Sequence, residues 1–192
     1  MTLRRVLPAI LLLAATAQVV LAEERPPTLP TRDVDVTYVM PTPAGAARQR
    51  LRYNAALRLL RLDPPGEGLR VVIDFAAARM FTVRDADRSV IEMAAPKSWM
   101  PGLGAARYTR RNAGRVSGVS CTNWETTDSE GHVVLICLTE DGVMLRVARH
   151  TAAGDHVLSL ATELHHTPQA APVFGVPQDY RRLAPPPIAG AR

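Results

Sequence analysis

The chain has 192 residues, 47% of them apolar and 5% aromatic, and a net charge of +5. This length suits one domain that can bury a core of its own, so disulfides are not required for folding. Apart from Lys97 the basic residues are all arginine, and no basic stripe is interleaved with aromatic residues, which excludes nucleic acid as the expected partner.

The N-terminus has the pattern of a cleavable secretory signal peptide, which we assign to residues 1–22. Arg4 and Arg5 form its basic start, and an apolar stretch over 6–15 follows. That stretch is shorter than the roughly 20 apolar residues that cross a bilayer. The alternative is an uncleaved membrane anchor over 6–22. Since no second apolar run of spanning length follows, no transmembrane segment is expected in the mature chain.

Two cleavage sites with small residues are present, after Ala22 and after Ala17, and the acidic residues that follow Ala22 favour the first. Cleavage there leaves 170 of the 192 residues. It also removes two arginines, so 21 basic side chains face 18 acidic ones and the charge falls to +3. The predicted location is the bacterial periplasm.

Prolines mark both ends of the mature chain. Residues 23–31 contain three of them and predict an extended linker without a packed role. Residues 185–192 begin with Pro185-Pro186-Pro187 and predict a loose tail. A single β-rich domain is therefore expected over 32–184.

Alternating apolar and polar residues predict strands in the first half of this domain. The alternation is clean over 33–39 and again over 50–59, where we predict one long strand, with a helix over 49–62 as the alternative. Three short β-rich runs between Leu69 and Met93, separated by turn residues, predict a three-stranded meander.

The pattern dissolves over 94–106, which predicts a loop or one short helix. Trp99, Met100 and Leu103 lie in this stretch, and such apolar groups either plug a core or line a lid over an apolar ligand. Four arginines follow, and they either form a solvated strand face or meet an anionic head group at a membrane surface. The four are Arg107, Arg110, Arg111 and Arg115.

Strands spaced about ten residues apart resume over 107–166, and the turns between them contain glycine and an acidic residue. The predicted fold is mainly β: a curved antiparallel sheet or incomplete β-barrel with one or two short helices.

The cysteines fit this layout, because Cys121 and Cys137 lie at equal distances on either side of Ser129, inside a predicted turn. Residues symmetric about a hairpin turn face each other, close enough for a disulfide. An even cysteine count in an exported chain also favours a bridge. We therefore predict a Cys121–Cys137 disulfide in a hairpin over 118–139; two reduced core cysteines are the alternative.

No pattern predicts catalysis, a metal or a cofactor. The five histidines show no HxH or HxxxH spacing, and His165 and His166 point to opposite faces if their segment is a strand. No Gly-x-Ser-x-Gly motif is present, and Gly102-Leu103-Gly104 lacks the remainder of a phosphate loop. We expect no enzyme, with catalytic, cofactor and metal residues all unassigned.

Several short structural motifs lie between about 33 and 183. They are Ile73-Asp74-Phe75, Ala78-Arg79-Met80, Val83, the Asp85–Asp87 turn into Glu92-Met93, Gly118-Val119-Ser120-Cys121 with Trp124, Leu145, and Val173-Phe174-Gly175-Val176-Pro177 with Tyr180. In this order they resemble a family of uncharacterised exported bacterial proteins whose domain has no assigned function. Such proteins are similar in architecture to the periplasmic lipoprotein carriers. The resemblance implies a half-barrel around an apolar cavity.

Two functional hypotheses follow. The first is a periplasmic protein that binds an apolar ligand, such as an acyl chain or a lipidated partner, with lipid or lipoprotein as the partner class. The second is a structural or protein-interaction module of the cell envelope that binds another envelope protein and no ligand.

Overall fold

A computed structural model describes residues 25–66, 68–95, 107–128 and 130–185. The signal peptide and the Trp99, Met100 and Leu103 loop lie outside these residues. The described chain is mainly β, with a 3₁₀ turn at Ala171–Phe174. Its strands are β1 Val34–Thr42, β2 Gly45–Asn54, β3 Leu59–Asp63, β4 Leu69–Asp74, β5 Arg79–Arg84, β6 Ser89–Ala94, β7 Thr109–Val116, β8 Val119–Thr127, β9 Val133–Leu138, β10 Met144–Thr151, β11 Gly154–His165 and β12 Arg181–Leu183.

All twelve strands form one open sheet in the order β12-β6-β5-β4-β3-β2-β1-β11-β10-β9-β8-β7. Two antiparallel meanders, β1–β6 and β7–β11, are joined where β1 pairs with β11. β12 adds to β6 in parallel through three residue pairs. The predicted mainly β, curved, open sheet is confirmed, and its two edges are β7 and β12.

The predicted meander over 69–93 is confirmed, whereas the long strand predicted over 50–59 is wrong. β2 ends at Asn54, and a four-residue loop leads into β3 at Leu59. The Asn54 Oδ1 atom accepts a hydrogen bond from the Leu57 amide at 2.7 Å. Arg58 closes the loop with a φ of 53°. Alternation continues across the loop, so the pattern concealed a turn that contains neither glycine nor proline.

The main core lies between the two meanders, where apolar side chains from β1–β4 meet those from β8–β11. Leu51, Leu60, Ile136 and Leu145 are among its fully buried members. The Tyr38 hydroxyl crosses this core and donates a 2.7 Å hydrogen bond to the Met144 carbonyl. Burial raises the pKa of the Tyr38 phenol far above its usual value. The two halves therefore form one folded unit.

A second, smaller core lies on the other face of β3–β6, where the C-terminal segment covers it. Phe174 from the 3₁₀ turn is buried there beside Val72 and Val83. Arg88 holds the segment through an ion pair with Asp179. The C-terminal segment thus covers the second core near the β6 edge of the sheet.

Cys121 and Cys137 form the predicted disulfide. They are not directly opposite, however, because the register places Asn123 opposite Cys137. The bridge is therefore diagonal across the β8–β9 hairpin. It lies over Gly114 of β7, where an added Cβ would be 2.9 Å from the Cys137 Sγ atom.

We predicted that residues 25–31 belong to a linker that does not pack against the domain. The structure contradicts this prediction, because part of the segment is buried. Pro26 and Pro30 are buried. The Thr31 amide donates a 2.9 Å hydrogen bond to the Asp141 carbonyl in the turn between β9 and β10. Three prolines favour an extended conformation, and here it lies against the sheet as part of the fold.

Candidate functional site

Strand β7 forms one of the two edges of the sheet, and most of its residues are exposed. Its residues from Thr109 to Ala113, and also Arg115, are exposed, while Val116 is buried. Among the described strands β7 pairs with β8 and with no other. An edge strand of this kind presents a row of backbone N–H and C=O groups to one side. Of the two outermost described strands, β7 is longer than β12.

A β-bulge and several arginines modify this edge. Arg110 lies opposite Trp124 and Ala113 opposite Thr122, so two residues of β7, Arg111 and Asn112, face one residue of β8. Bulges and charged side chains are common on edge strands, where they prevent indiscriminate pairing. The bulge and the charges therefore protect the β7 edge against pairing with an arbitrary strand.

The arginines of β7 have defined local contacts. The Arg111 guanidinium donates to the Glu125 carboxylate at 2.8 Å. The Arg115 side chain donates to the Gly118 carbonyl at 2.9 Å. Both guanidinium groups therefore already have an acceptor within this chain. The solvated strand face predicted for these arginines is the arrangement observed for Arg111 and Arg115.

A cavity of about 400 Å³ lies beside this edge, on the face that carries Arg110 and Trp124. Trp124 is almost fully buried and forms part of its wall. The cavity has both charged and apolar walls, and its charged residues are of both signs. It is lined by Arg25, Pro27, Arg110, Thr122, Trp124, Leu138, Thr139 and Glu140.

A second cavity, of about 250 Å³, lies near Arg32, Asp33 and His166. Asp33 is already engaged, because its carboxylate accepts the Ala55 amide at 2.8 Å and the Gln169 amide at 2.7 Å. Arg32 donates to a carboxylate of the β9–β10 turn. These contacts hold the surrounding chain segments together. We therefore interpret this cavity as a gap between structural contacts.

Asp141 is the acceptor in that turn, at 2.6 Å from the Arg32 Nε atom. Burial acts to raise the pKa of the Asp141 carboxyl. Hydrogen bonds from Thr139 and Arg32, together with the charges of Arg32 and His166, outweigh burial and hold the pKa below its usual value. The ionised carboxylate therefore ties the N-terminal segment to the sheet.

The structure brings together three possible metal ligands that the sequence pattern did not combine. Asp128, Glu130 and His132 place ligand atoms within 4.8 Å of one another at the β8–β9 turn. The Arg149 guanidinium lies 3.4 Å from the Asp128 carboxylate and already supplies a cation there. Backbone amides also bond to Asp128. We therefore interpret these three residues as part of a charged turn, which Arg149 and backbone amides stabilise.

One face of β4–β6 carries partly buried apolar side chains, and Met80 there packs against the main core. Met80 lies opposite Met93, and the neighbouring pair on the same face is Thr82 and Ile91. All four side chains are half-buried. Among the described residues, Leu57 is the large apolar side chain that is clearly exposed.

No helix of the described chain is long and apolar enough to cross a membrane.

Comparisons with known proteins identify the fold. No protein-family model and no curated protein matches the chain. An uncharacterised conserved protein from Thermus thermophilus is similar in structure, with a TM-score of 0.60 and 14% identity over 81% of this chain and 91% of that one. MucB is also similar, with a TM-score of 0.52 and 13% identity over 78% of this chain and 59% of that one.

The MucA/MucB complex of Pseudomonas aeruginosa has a TM-score of 0.51 to this chain, with 14% identity over 76% of this chain and 56% of the matched one. MucB has also been solved in complex with MucA(peri). The chain thus spans little more than half of MucB. The likeness to lipoprotein carriers stays a prediction, and at these identities the chain shares a fold with the Thermus protein and with MucB.

Proposed function

We propose that this chain is an exported protein of the periplasm that binds another protein of the cell envelope and performs no catalysis. The observation that carries the proposal is the eight-residue β7 edge, which is mostly exposed, carries three arginines and, among the described strands, pairs with β8 alone. Strand edges of this kind bind partner chains through backbone hydrogen bonds. Three further observations support the same function.

The first is the signal-peptide pattern, which predicts export. The second is the Cys121–Cys137 disulfide, since such bridges persist in oxidising compartments. The third is that MucB, similar in fold, has been solved bound to MucA(peri). The first two support an exported protein. The third supports action through protein contacts, the second of the two hypotheses drawn from the sequence.

Crosslinking in the living bacterium tests this function. The full chain, with a C-terminal affinity tag and its own signal peptide, is crosslinked, purified under denaturing conditions, and its adducts are identified by mass spectrometry. The expected result is one envelope protein recovered in every replicate. An exported tagged protein of unrelated fold is the control. Recovery of no adduct beyond those of the control would refute the proposal.

The apolar-ligand hypothesis is the second candidate, supported by the half-buried Met80, Ile91 and Met93 on one face of β4–β6. Native mass spectrometry of the mature protein, before and after organic extraction, tests it. A bound mass of lipid size that extraction removes would support a ligand such as an acyl chain. A bare polypeptide mass in both samples would leave protein binding as the function.

A further inference from the structure

We propose that the C-terminal segment is a displaceable latch, whose place on the sheet is taken by an extended partner segment with an aromatic residue. The latch comprises residues 171–183, from the 3₁₀ turn to the end of β12. The inference rests on the proposed protein-binding function and adds a second docking surface, at the edge of the sheet opposite β7. That surface consists of the second core and the edge of β6.

The latch lies on the sheet in the way that a bound peptide does. Phe174 is its buried anchor, and β12 extends the sheet beside β6 through three parallel residue pairs. Sheets bind extended peptides by this combination of backbone pairing at an edge and a side chain in a pocket. Four sheet residues form the floor beneath the anchor: Val72, Phe81, Val83 and Val90.

Backbone atoms of the latch make several of its polar contacts. The Arg61 guanidinium donates a 2.9 Å hydrogen bond to the Val173 carbonyl. The Arg181 amide donates a 2.9 Å hydrogen bond to the Arg88 carbonyl. Every peptide chain carries such groups, so a separate segment of different sequence could replace these contacts.

The side chains of the latch define the chemistry of the partner segment. Phe174 fills the floor and calls for an aromatic anchor. Asp179 forms an ion pair with Arg88, whose guanidinium also lies 5.1 Å from the centre of the Tyr180 ring. The Tyr180 hydroxyl donates a 3.0 Å hydrogen bond to Asp85. The matching occupant has an aromatic anchor, followed further along by an acidic and a second aromatic side chain.

Few contacts hold the latch closed. Within residues 171–183, Phe174 alone is buried. The side chains of Arg88 and Asp179 are each 65% exposed, and ion pairs in water add little stability. Segments with few buried apolar contacts open locally, before the whole domain unfolds. The latch can therefore open while the main core stays folded.

Opening of the latch would uncover a docking surface. Val83 and Val90 are fully buried in the closed form, and a contiguous apolar patch of this kind marks an interaction site once it is exposed. The edge of β6, Ser89–Ala94, would lose its three pairs with β12 and present free N–H and C=O groups. The closed latch thus protects this edge until a partner segment replaces it.

Binding of a peptide copy of the latch tests the proposal. The probe is a fluorescent peptide with the sequence of residues 171–183, and the control probe has alanine in place of its phenylalanine. Anisotropy is measured with the mature, oxidised wild type and with Phe174→Ala, which removes the anchor of the latch and leaves the floor intact. We expect the probe to bind Phe174→Ala at least tenfold more tightly than the wild type, and the control probe not to bind.

Two further variants locate the site. Phe75→Ala is the matched control, because Phe75 is a partly buried phenylalanine that packs against the main core. It should bind the probe as weakly as the wild type does. Phe81→Ala combined with Phe174→Ala removes part of the floor and should weaken probe binding at least tenfold relative to Phe174→Ala. Circular dichroism verifies that each variant is folded.

Should Phe174→Ala be unfolded, Asp179→Arg opens the latch from its exposed end instead. It places two arginines together within the chain, whereas the probe retains its own aspartate for Arg88. We expect the probe to bind this variant about threefold more tightly than the wild type. Adding Arg88→Asp restores an ion pair within the chain and should return probe binding to the wild-type level.

Three results would overturn the proposal: no binding to a folded variant with an open latch, equal binding to the wild type, or unchanged binding after loss of Phe81. A wild-type dimer with exchanged latches would do so as well, since the occupant would then be a second copy. In-cell crosslinking judges the partner, and Phe174→Ala is expected to raise the yield of the envelope adduct. An unchanged yield would reject this surface and retain the protein-binding function, whereas the absence of a specific adduct from both proteins would reject the function itself.

Discussion

Gly142 lies where the N-terminal segment contacts the turn between β9 and β10. Its φ is +86°, and an added Cβ would be 2.6 Å from the Leu29 carbonyl oxygen and 3.2 Å from the Pro27 Cβ. We predict that Gly142→Ala strains the turn and also displaces the N-terminal segment. The obstructing oxygen belongs to the backbone, so it cannot move aside as the end of a flexible side chain would.

Two contributions set the size of the loss in unfolding free energy. An alanine in left-handed backbone costs about 1–2 kcal/mol. Overpacking against fixed atoms costs about 1–3 kcal/mol more. Gly131 is the matched control, since its φ is +85° and an added Cβ there would have no atom within 4 Å. Gly131→Ala is therefore expected to lose only the 1–2 kcal/mol, roughly, that left-handed backbone costs an alanine.

Guanidinium unfolding of the two oxidised variants, followed by circular dichroism, measures the difference. Limited trypsin digestion adds a local readout, because a displaced segment exposes the peptide bond after Arg32. We expect Gly142→Ala to unfold at lower denaturant than Gly131→Ala and to be cut faster after Arg32. Equal midpoints and equal cleavage rates would refute the reasoning, since the contact with Leu29 would then have no energetic effect.

Three further outcomes are expected. Gly114→Ala should lower the unfolding free energy by about 1–3 kcal/mol, because its methyl group would meet the bridged Cys137 sulfur; an unchanged denaturation midpoint would contradict this. Tyr38→Phe should lower it by about 1–3 kcal/mol, since the buried Met144 carbonyl loses its donor; thermal unfolding of both proteins measures the loss, and equal melting temperatures would count against it. The folded-state pKa of Asp141 lies below its unfolded value, so its stabilisation is present above about pH 4 and is lost as the pH falls through the lower, folded pKa. Acid titration should therefore show a smaller loss of stability in Asp141→Asn, and an identical titration curve would exclude this role.

Local patterns predicted much of the fold. Period-two alternation identified β1, because one face of the strand is buried and successive side chains point to opposite faces. Short β-rich runs between turn residues identified the β4–β6 meander. Turn residues separated the strands of the second half. The disulfide partners were predicted correctly, since both cysteines flank one hairpin, although the diagonal register was not.

The candidate site was predicted in part. The arginines between 107 and 115 were recognised as a strand face or an anion-binding group. Their place on the outermost strand depends on the order of the sheet, which pairs β7 with β8 alone among the described strands. Arg25 and Pro27 were assigned to an unpacked linker, yet they line the cavity beside Trp124. Nothing local indicated that contact, because more than 80 residues separate the two regions.

The sequence by itself determined most of the segments that become strands, and it determined which cysteines meet. Both follow from periodicity and from turns between neighbours in the chain. The tertiary structure alone decided the pairing of β1 with β11, the parallel addition of β12 to β6, and the attachment of residues 25–31 to the Gly142 turn. These contacts join residues far apart in sequence. Their free energy comes from burying surfaces that exist after the meanders have formed, so no local pattern encodes them.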